Sequence, residues 1–109
     1  MKLLIAGSRS IENFDLSPYI SQEVDTVITG GANGIDRLAE EYADLHRLSK
    51  VILRPRYDLY GKAAPLKRNQ EMVLLADAVL IVWDGHSKGA AHTLRFAEKH
   101  GKPLTLLRL

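Results

Sequence analysis

The stretch VITGGANGIDRLAEEYA, residues 27–43, joins an apolar run to a helical pattern through three glycines. The run TVITG (26–30) is short and rich in β-branched residues, which is typical of a buried strand. After Gly34 the apolar residues recur every three or four positions, at Ile35, Leu38, Ala39, Tyr42, Ala43 and His46, which predicts an amphipathic helix. A strand, a tight turn and a helix form the repeating unit of parallel α/β sheets, so this stretch decides the fold class.

The same alternation continues along the chain. Four more apolar runs are predicted to be strands covered on both faces: KLLIAG (2–7), KVILR (50–54), AVLIVW (78–83) and LTLLRL (104–109). One further helix is predicted to begin at Pro65, with Leu66, Met72, Val73 and Ala76 facing inward, and another to follow Ser87 and end at Gly101. A short helix is expected near Asp15 to Ser17. These elements predict a three-layer α/β sandwich with a mainly parallel five-stranded sheet of order 3-2-1-4-5.

Composition bounds the class of protein. A chain of 109 residues with 46% hydrophobic and 26% charged residues predicts one globular domain, residues 1–109. The lack of cysteine excludes disulfides and thiol chemistry, and no apolar run is long enough to span a membrane. We therefore expect a cytoplasmic protein without a membrane partner. A net charge of only +2 gives no reason to expect a nucleic-acid partner.

The predicted site lies where the parallel strands end, because ligands of such sheets bind along that edge. Small residues, hydroxyls and cations follow the strands there, and two glycine-bearing turns open onto helix N-termini, where free N–H groups attract anions. Candidate ligand residues are Gly7, Ser8, Arg9, Gly30, Gly31, Asn33, Gly34, Asp36, Arg68, Asn69, Ser87, Lys88 and Gly89. Asp36 is expected either to contact a ribose or simply to favour the helix dipole.

Each turn also has a purely structural interpretation. The three glycines can form a tight strand-to-helix turn, and Ser87 can be an ordinary helix N-cap. Arg68 is singled out from a basic cluster (Arg54, Arg56, Lys62, Lys67 and Arg68) because its planar fork can bind a phosphate at two points. Trp83, Tyr57 and Tyr60 are expected either to stack on a base or to pack within the protein. The spacing of Asp84, His86 and His92 does not indicate a metal site, and we expect no cofactor.

Four segments together resemble the SLOG superfamily of Rossmann-like domains. They are IAGSR (5–9), TGGANGID (29–36), YGKAAPLKRNQEM (60–72) and ADAVLIVWDGHSKGAAHTLRFA (76–97), and they are most similar to its YspA-type branch. The superfamily also includes the "lonely guy" phosphoribohydrolases and the DNA-processing protein DprA. The resemblance covers nearly the whole chain and implies a nucleotide-derived ligand and a homodimer or higher homo-oligomer.

The resemblance also implies roles for single residues. Gly30, Gly31 and Gly34 match the phosphoribohydrolase G-G-x-x-G turn, and Arg68 with Met72 matches the R-x-x-x-M segment of the catalytic arginine. Thr93 stands where those enzymes have a catalytic glutamate, which favours binding over hydrolysis.

Three functions follow from these predictions. The first is a sensor or carrier that binds a nucleotide or a nucleotide-derived phosphate ligand. The second is a nucleoside 5′-monophosphate N-glycosidase that uses Arg68 with Asp84 or His92, with Asp36 as another substitute for the missing glutamate. The third is a single-stranded nucleic-acid binder, against which the modest charge and few aromatic residues count.

Overall fold

The computed structural model describes all residues, 1–109, as an α/β sandwich built on five parallel strands. The strands are β1 (Lys2–Gly7), β2 (Thr26–Thr29), β3 (Ser49–Ile52), β4 (Ala78–Trp83) and β5 (Leu104–Arg108). The helices are α1 (Ile35–Leu45), α2 (Tyr57–Tyr60), α3 (Ala64–Leu75) and α4 (Lys88–Lys99), with short 3-10 turns at Ser17–Tyr19 and Gly61–Ala63. None of these helices has the length and apolar character that crossing a bilayer requires.

The sheet order is β3-β2-β1-β4-β5, and every neighbouring pair is parallel. This confirms the predicted fold class and strand order. Two apolar clusters lie on opposite faces of the sheet. One includes Leu3, Ile5 and Val27 with residues of α1, and the other includes Leu4, Ile28 and Ile81 with residues of α3 and α4. Alternate residues of each central strand therefore enter opposite clusters, which is why their sequences are apolar at nearly every position.

The prediction that all five strands are covered on both faces is wrong for the two edge strands. Both residues at the start of β3 are exposed, and β5 has three exposed positions, including Leu106. The runs KVILR and LTLLRL are mostly apolar, as several of the central runs are, but β3 and β5 each have a neighbouring strand on one side only. Apolar composition therefore does not distinguish an edge strand from a central one.

The helices lie where the sequence predicts them, but some residues expected to face inward are exposed. Pro65 lies in the first turn of α3 and Gly101 directly follows the C-cap of α4, both as predicted. Leu66, expected to face inward, is 46% exposed, although Ala64 in the same turn of α3 is fully buried. His46, which directly follows α1, is also exposed, and its ring stacks on that of Tyr42 in the last turns of the helix. The expected helix near Asp15 is only the 3-10 turn Ser17–Tyr19.

Candidate functional site

A cavity of about 520 Å³ lies at the carboxyl ends of the central strands. It is bounded by Gly7 at the end of β1, Ala32 after β2 and Asp84 after β4, with α3 and α4 forming the remaining walls. Its lining contains most of the predicted ligand residues: Gly7, Arg9, Asp36, Arg68, Asn69, Ser87, Lys88 and Gly89. The rest of the lining consists of residues that sequence reasoning did not assign to the ligand: Ala6, Ser10, Ala32, Pro65, Met72, Asp84, Ala90 and Thr93.

The loop between β4 and α4 is held by Asp84. One oxygen of its carboxylate, Oδ1, accepts the N–H groups of His86 at 2.7 Å and Ser87 at 3.0 Å. The other oxygen, Oδ2, accepts the hydroxyl of Ser10 at 2.8 Å. These hydrogen bonds stabilise the charged form and hold the pKa of Asp84 well below its usual range. Asp84 is therefore an ionised group whose two oxygens are already engaged.

Ser87 is the N-cap residue of α4, but its side chain does not cap the helix. Its hydroxyl instead lies 3.0 Å from the hydroxyl of Ser8, which in turn accepts the N–H of Asp84 at 2.9 Å. The N–H groups of Lys88, Gly89 and Ala90 consequently have no hydrogen-bond partner, and all three residues line the cavity. The start of α4 thus offers the cavity free N–H groups at the positive end of a helix.

The turn between β2 and α1 is arranged differently from the prediction. Gly30, Gly31, Asn33 and Gly34 do not line the cavity, and Ala32 is the turn residue that does. The N–H of Ala32 donates to Oδ2 of Asp36 at 3.1 Å. Of this turn, the structure brings only Ala32 to the cavity, and its N–H is already taken by the protein's own carboxylate.

Arg68 lies between this turn and α3. Its Nη1 donates to the carbonyl oxygens of Gly30 at 2.9 Å and Leu53 at 3.3 Å, and its Nε donates to Oδ1 of Asn69 at 2.9 Å. Only Nη2 has no partner, so the expected two-point contact of the Arg68 fork with a phosphate does not fit this geometry. Burial lowers the pKa of Arg68, and the nearby charge of Asp36 opposes that shift.

Asp36 is 8% exposed and lines the cavity. Burial raises its pKa, although the Ala32 N–H and the charge of Arg68 act in the opposite direction. The cavity therefore contains two carboxyl groups in contrasting environments, a buried Asp36 and a solvated Asp84.

Several predicted residues lie elsewhere. Ser8 is fully buried behind the lining, and Asn33 is exposed on the surface. His92 does not line the cavity, so the structure does not bring it to Arg68 and Asp84. Burial lowers the pKa of His92, with a further contribution from Arg95, and its Nδ1 has no partner.

The residue at the position of the family glutamate is part of the cavity wall. Thr93 lines the cavity, and its hydroxyl donates to the carbonyl oxygen of Gly89 at 3.1 Å. No acid takes its place on α4.

The aromatic residues contribute to structure. The indole N–H of Trp83 donates to the carbonyl oxygen of Ser87 at 3.0 Å, and the guanidinium of Arg108 lies 5.7 Å from the centre of its ring. Trp83 thereby fixes the loop before α4. Tyr57 and Tyr60 are exposed outside the cavity, and Tyr60 lies under the ammonium of Lys67.

Comparison with known proteins gives one relationship. No family model and no solved structure matches the chain. The chain is 34% identical over 84 residues to the Gene 61 protein of Mycobacterium phage D29, a match that covers 72% of this chain and 67% of the phage protein. At this identity and coverage, the chain belongs to the same family as the Gene 61 protein of Mycobacterium phage D29.

Proposed function

We propose that the cavity binds a nucleotide or a nucleotide-derived phosphate ligand, and that the protein acts as a sensor or carrier of it. The observation that carries this proposal is the group of three unpaired N–H groups, those of Lys88, Gly89 and Ala90, at the start of α4 on the cavity wall. Free helix N-terminal amides are well suited to phosphate oxygens, which accept hydrogen bonds and carry negative charge.

The charges around the cavity support an anionic ligand. Arg9, Arg68 and Lys88 line it, and none of them forms an ion pair within the protein. Of the two acids in the lining, Asp84 already accepts three hydrogen bonds and Asp36 lies against the opposite turn. A phosphate placed at the start of α4 would therefore meet Lys88 and free amides.

The size of the cavity is also consistent with a nucleotide. Its volume of about 520 Å³ lies within the range of roughly 300–1,000 Å³ that is usual for small-molecule sites. Membership of the SLOG superfamily, a homo-oligomeric state and a cytoplasmic location stay predictions from the sequence.

The proposal is tested by isothermal titration calorimetry with a panel of nucleoside 5′-monophosphates and ADP-ribose. We expect saturable binding of at least one ligand, weakened about three- to tenfold in Lys88→Ala because a charged contact with phosphate is lost. Lys99→Ala is the matched control, since it removes the same charge from the other end of α4. No binding of any ligand, or equal weakening by the two substitutions, would contradict the proposal.

An N-glycosidase is a second candidate, favoured by the contrast between Asp36 and Asp84. Two carboxyl groups whose pKa values move in opposite directions resemble the pairing of acid and stabilising carboxylate in glycoside cleavage. In this reaction ionised Asp84 would stabilise the oxocarbenium-like sugar while Asp36 protonates the departing base. Water would then add to the sugar carbon and return a proton to Asp36. Chromatographic detection of free base, with its loss in Asp84→Asn, tests this candidate. Ligand binding without base release would leave the sensor or carrier role.

A further inference from the structure

The Asp36 carboxylate has an acceptor that the protein does not use. Its Oδ2 accepts the Ala32 N–H at 3.1 Å, and the Thr29 hydroxyl and the Gly30 N–H also lie near the carboxyl, but its Oδ1 accepts no hydrogen bond of ordinary length. Oγ1 of Thr29, near the same carboxyl, is fully enclosed by the protein, whereas Oδ1 of Asp36 is not. Because Asp36 lines the cavity, this accessible oxygen can accept a hydrogen bond from a ligand there.

The second carboxylate of the cavity differs in this respect. Both oxygens of Asp84 accept hydrogen bonds from its own loop, at distances from 2.7 to 3.0 Å. Asp36 is therefore the cavity acid with an unpaired oxygen, and it lies in a poorly solvated position where an added hydrogen bond counts most.

A hydrogen-bond donor lies on the same side of the cavity. Asn69 is buried, and its Oδ1 accepts the Nε–H of Arg68 at 2.9 Å. Arginine can only donate, so this contact fixes the orientation of the amide and directs its NH₂ group elsewhere. That NH₂ group has no protein partner, and Asn69 lines the cavity.

Arg68 connects these two groups. The side chains of Arg68 and Asp36 both approach Gly30 closely. A β-carbon on Gly30 would lie 2.6 Å from Nη1 of Arg68 and 2.9 Å from Oδ2 of Asp36. Nε of Arg68 at the same time holds Asn69. A free carboxylate acceptor and a free amide donor thus border one end of the cavity, which complements a hydroxyl group because a hydroxyl both donates and accepts.

We propose that Asp36 and Asn69 form a subsite for the sugar hydroxyls of the ligand, so that the cavity selects ribonucleotides over 2′-deoxyribonucleotides. This inference rests on the proposed function and adds the class of sugar. The phosphate is placed at the start of α4, because the unpaired N–H groups of Lys88, Gly89 and Ala90 lie there. A hydroxyl at Asp36 uses its unpaired oxygen, and a deoxy sugar leaves that oxygen without a partner.

The experiment compares matched pairs of nucleoside 5′-monophosphates, AMP with dAMP and GMP with dGMP, by calorimetry on the full chain. We expect the wild type to bind the ribo form of at least one pair about tenfold more tightly, the loss typical of a hydrogen bond to a charged group. In Asp36→Asn, which keeps the size of the side chain, the preference should fall below about threefold. Glu41→Gln removes an exposed carboxylate from the same helix and should keep the full preference.

Asn69→Ala gives a second readout that does not depend on the folding of Asp36→Asn, and we expect it to reduce the preference as well. Equal affinity of the wild type for both sugars overturns the inference and leaves the proposed function standing. A ribose preference that persists unchanged in Asp36→Asn does the same. Failure of the wild type to bind any nucleotide overturns the proposed function, and the inference with it.

Discussion

Gly34 is the residue whose backbone conformation allows α1 to begin next to β1. Its φ is 73°, and a β-carbon there would collide with the backbone of Ser8 and Arg9. Gly61 also has a positive φ, of 53°, but a β-carbon there would meet nothing within 4 Å. We expect Gly34→Ala to lower the free energy of unfolding by more than about 2 kcal/mol and Gly61→Ala by only about 1 kcal/mol, as measured by urea denaturation. Equal costs would show that the close approach of Gly34 to Ser8 and Arg9 is unimportant.

Asp36 makes the free energy of unfolding depend on pH. The contribution of this one residue can be measured by comparing the wild type with Asp36→Asn. Burial raises the pKa of Asp36 above the ordinary value of 3.8, so the folded state binds the proton more tightly than the unfolded state does. Its contribution to stability is therefore largest below pH 3.8 and is lost as the pH rises through the raised pKa.

Asn at this position does not titrate. The free energy of unfolding of Asp36→Asn minus that of the wild type should accordingly increase with pH above 3.8 and then level off. The carboxyl groups with lowered pKa values, such as Asp15 and Asp58, titrate below that range and are common to both proteins. Chemical denaturation at a series of pH values measures this difference. A difference that decreases with rising pH would contradict the environment described for Asp36.

At the scale of elements, α3 shows how far periodicity can be trusted. Leu66 and Val73 are seven residues apart and share one helix face, yet Leu66 is 46% exposed and Val73 is 0% exposed. We expect Val73→Ala to cost about 2 kcal/mol, because it leaves a cavity, and Leu66→Ala to cost less than about 1 kcal/mol. Thermal and urea unfolding of the two variants tests this, and similar losses would mean that the Leu66 side chain is covered in solution.

The same contrast explains which part of the fold could be predicted. The alternation of apolar runs with helical periodicity identified all five strands and the three long helices, because these patterns depend on local sequence. The exposure of Leu66 and Leu106 depends on where a neighbouring element ends or a sheet stops, and no local pattern records that.

At the scale of the whole molecule, the parallel sheet brings distant segments to one cavity. The rule that parallel strands end on one edge is enough to place Gly7 and Ser87 around a common site from the sequence, whereas Arg68, on α3, is predicted there from its side-chain chemistry and the family resemblance. The internal hydrogen bonds could not be predicted, because they join residues far apart in sequence through specific side-chain orientations. Arg68 with Gly30 and Ser87 with Ser8 are such pairs, and they decide which groups remain available to a ligand.

The proposed phosphate site depends most on the free amides at the start of α4. Titration of ¹⁵N-labelled protein with AMP, followed by two-dimensional NMR, observes these groups one by one. We predict that the amide signals of Lys88, Gly89 and Ala90 shift most and saturate with the affinity measured by calorimetry. Saturable shifts confined to other parts of the chain, or no shifts at millimolar AMP and ADP-ribose, would contradict the proposed phosphate site.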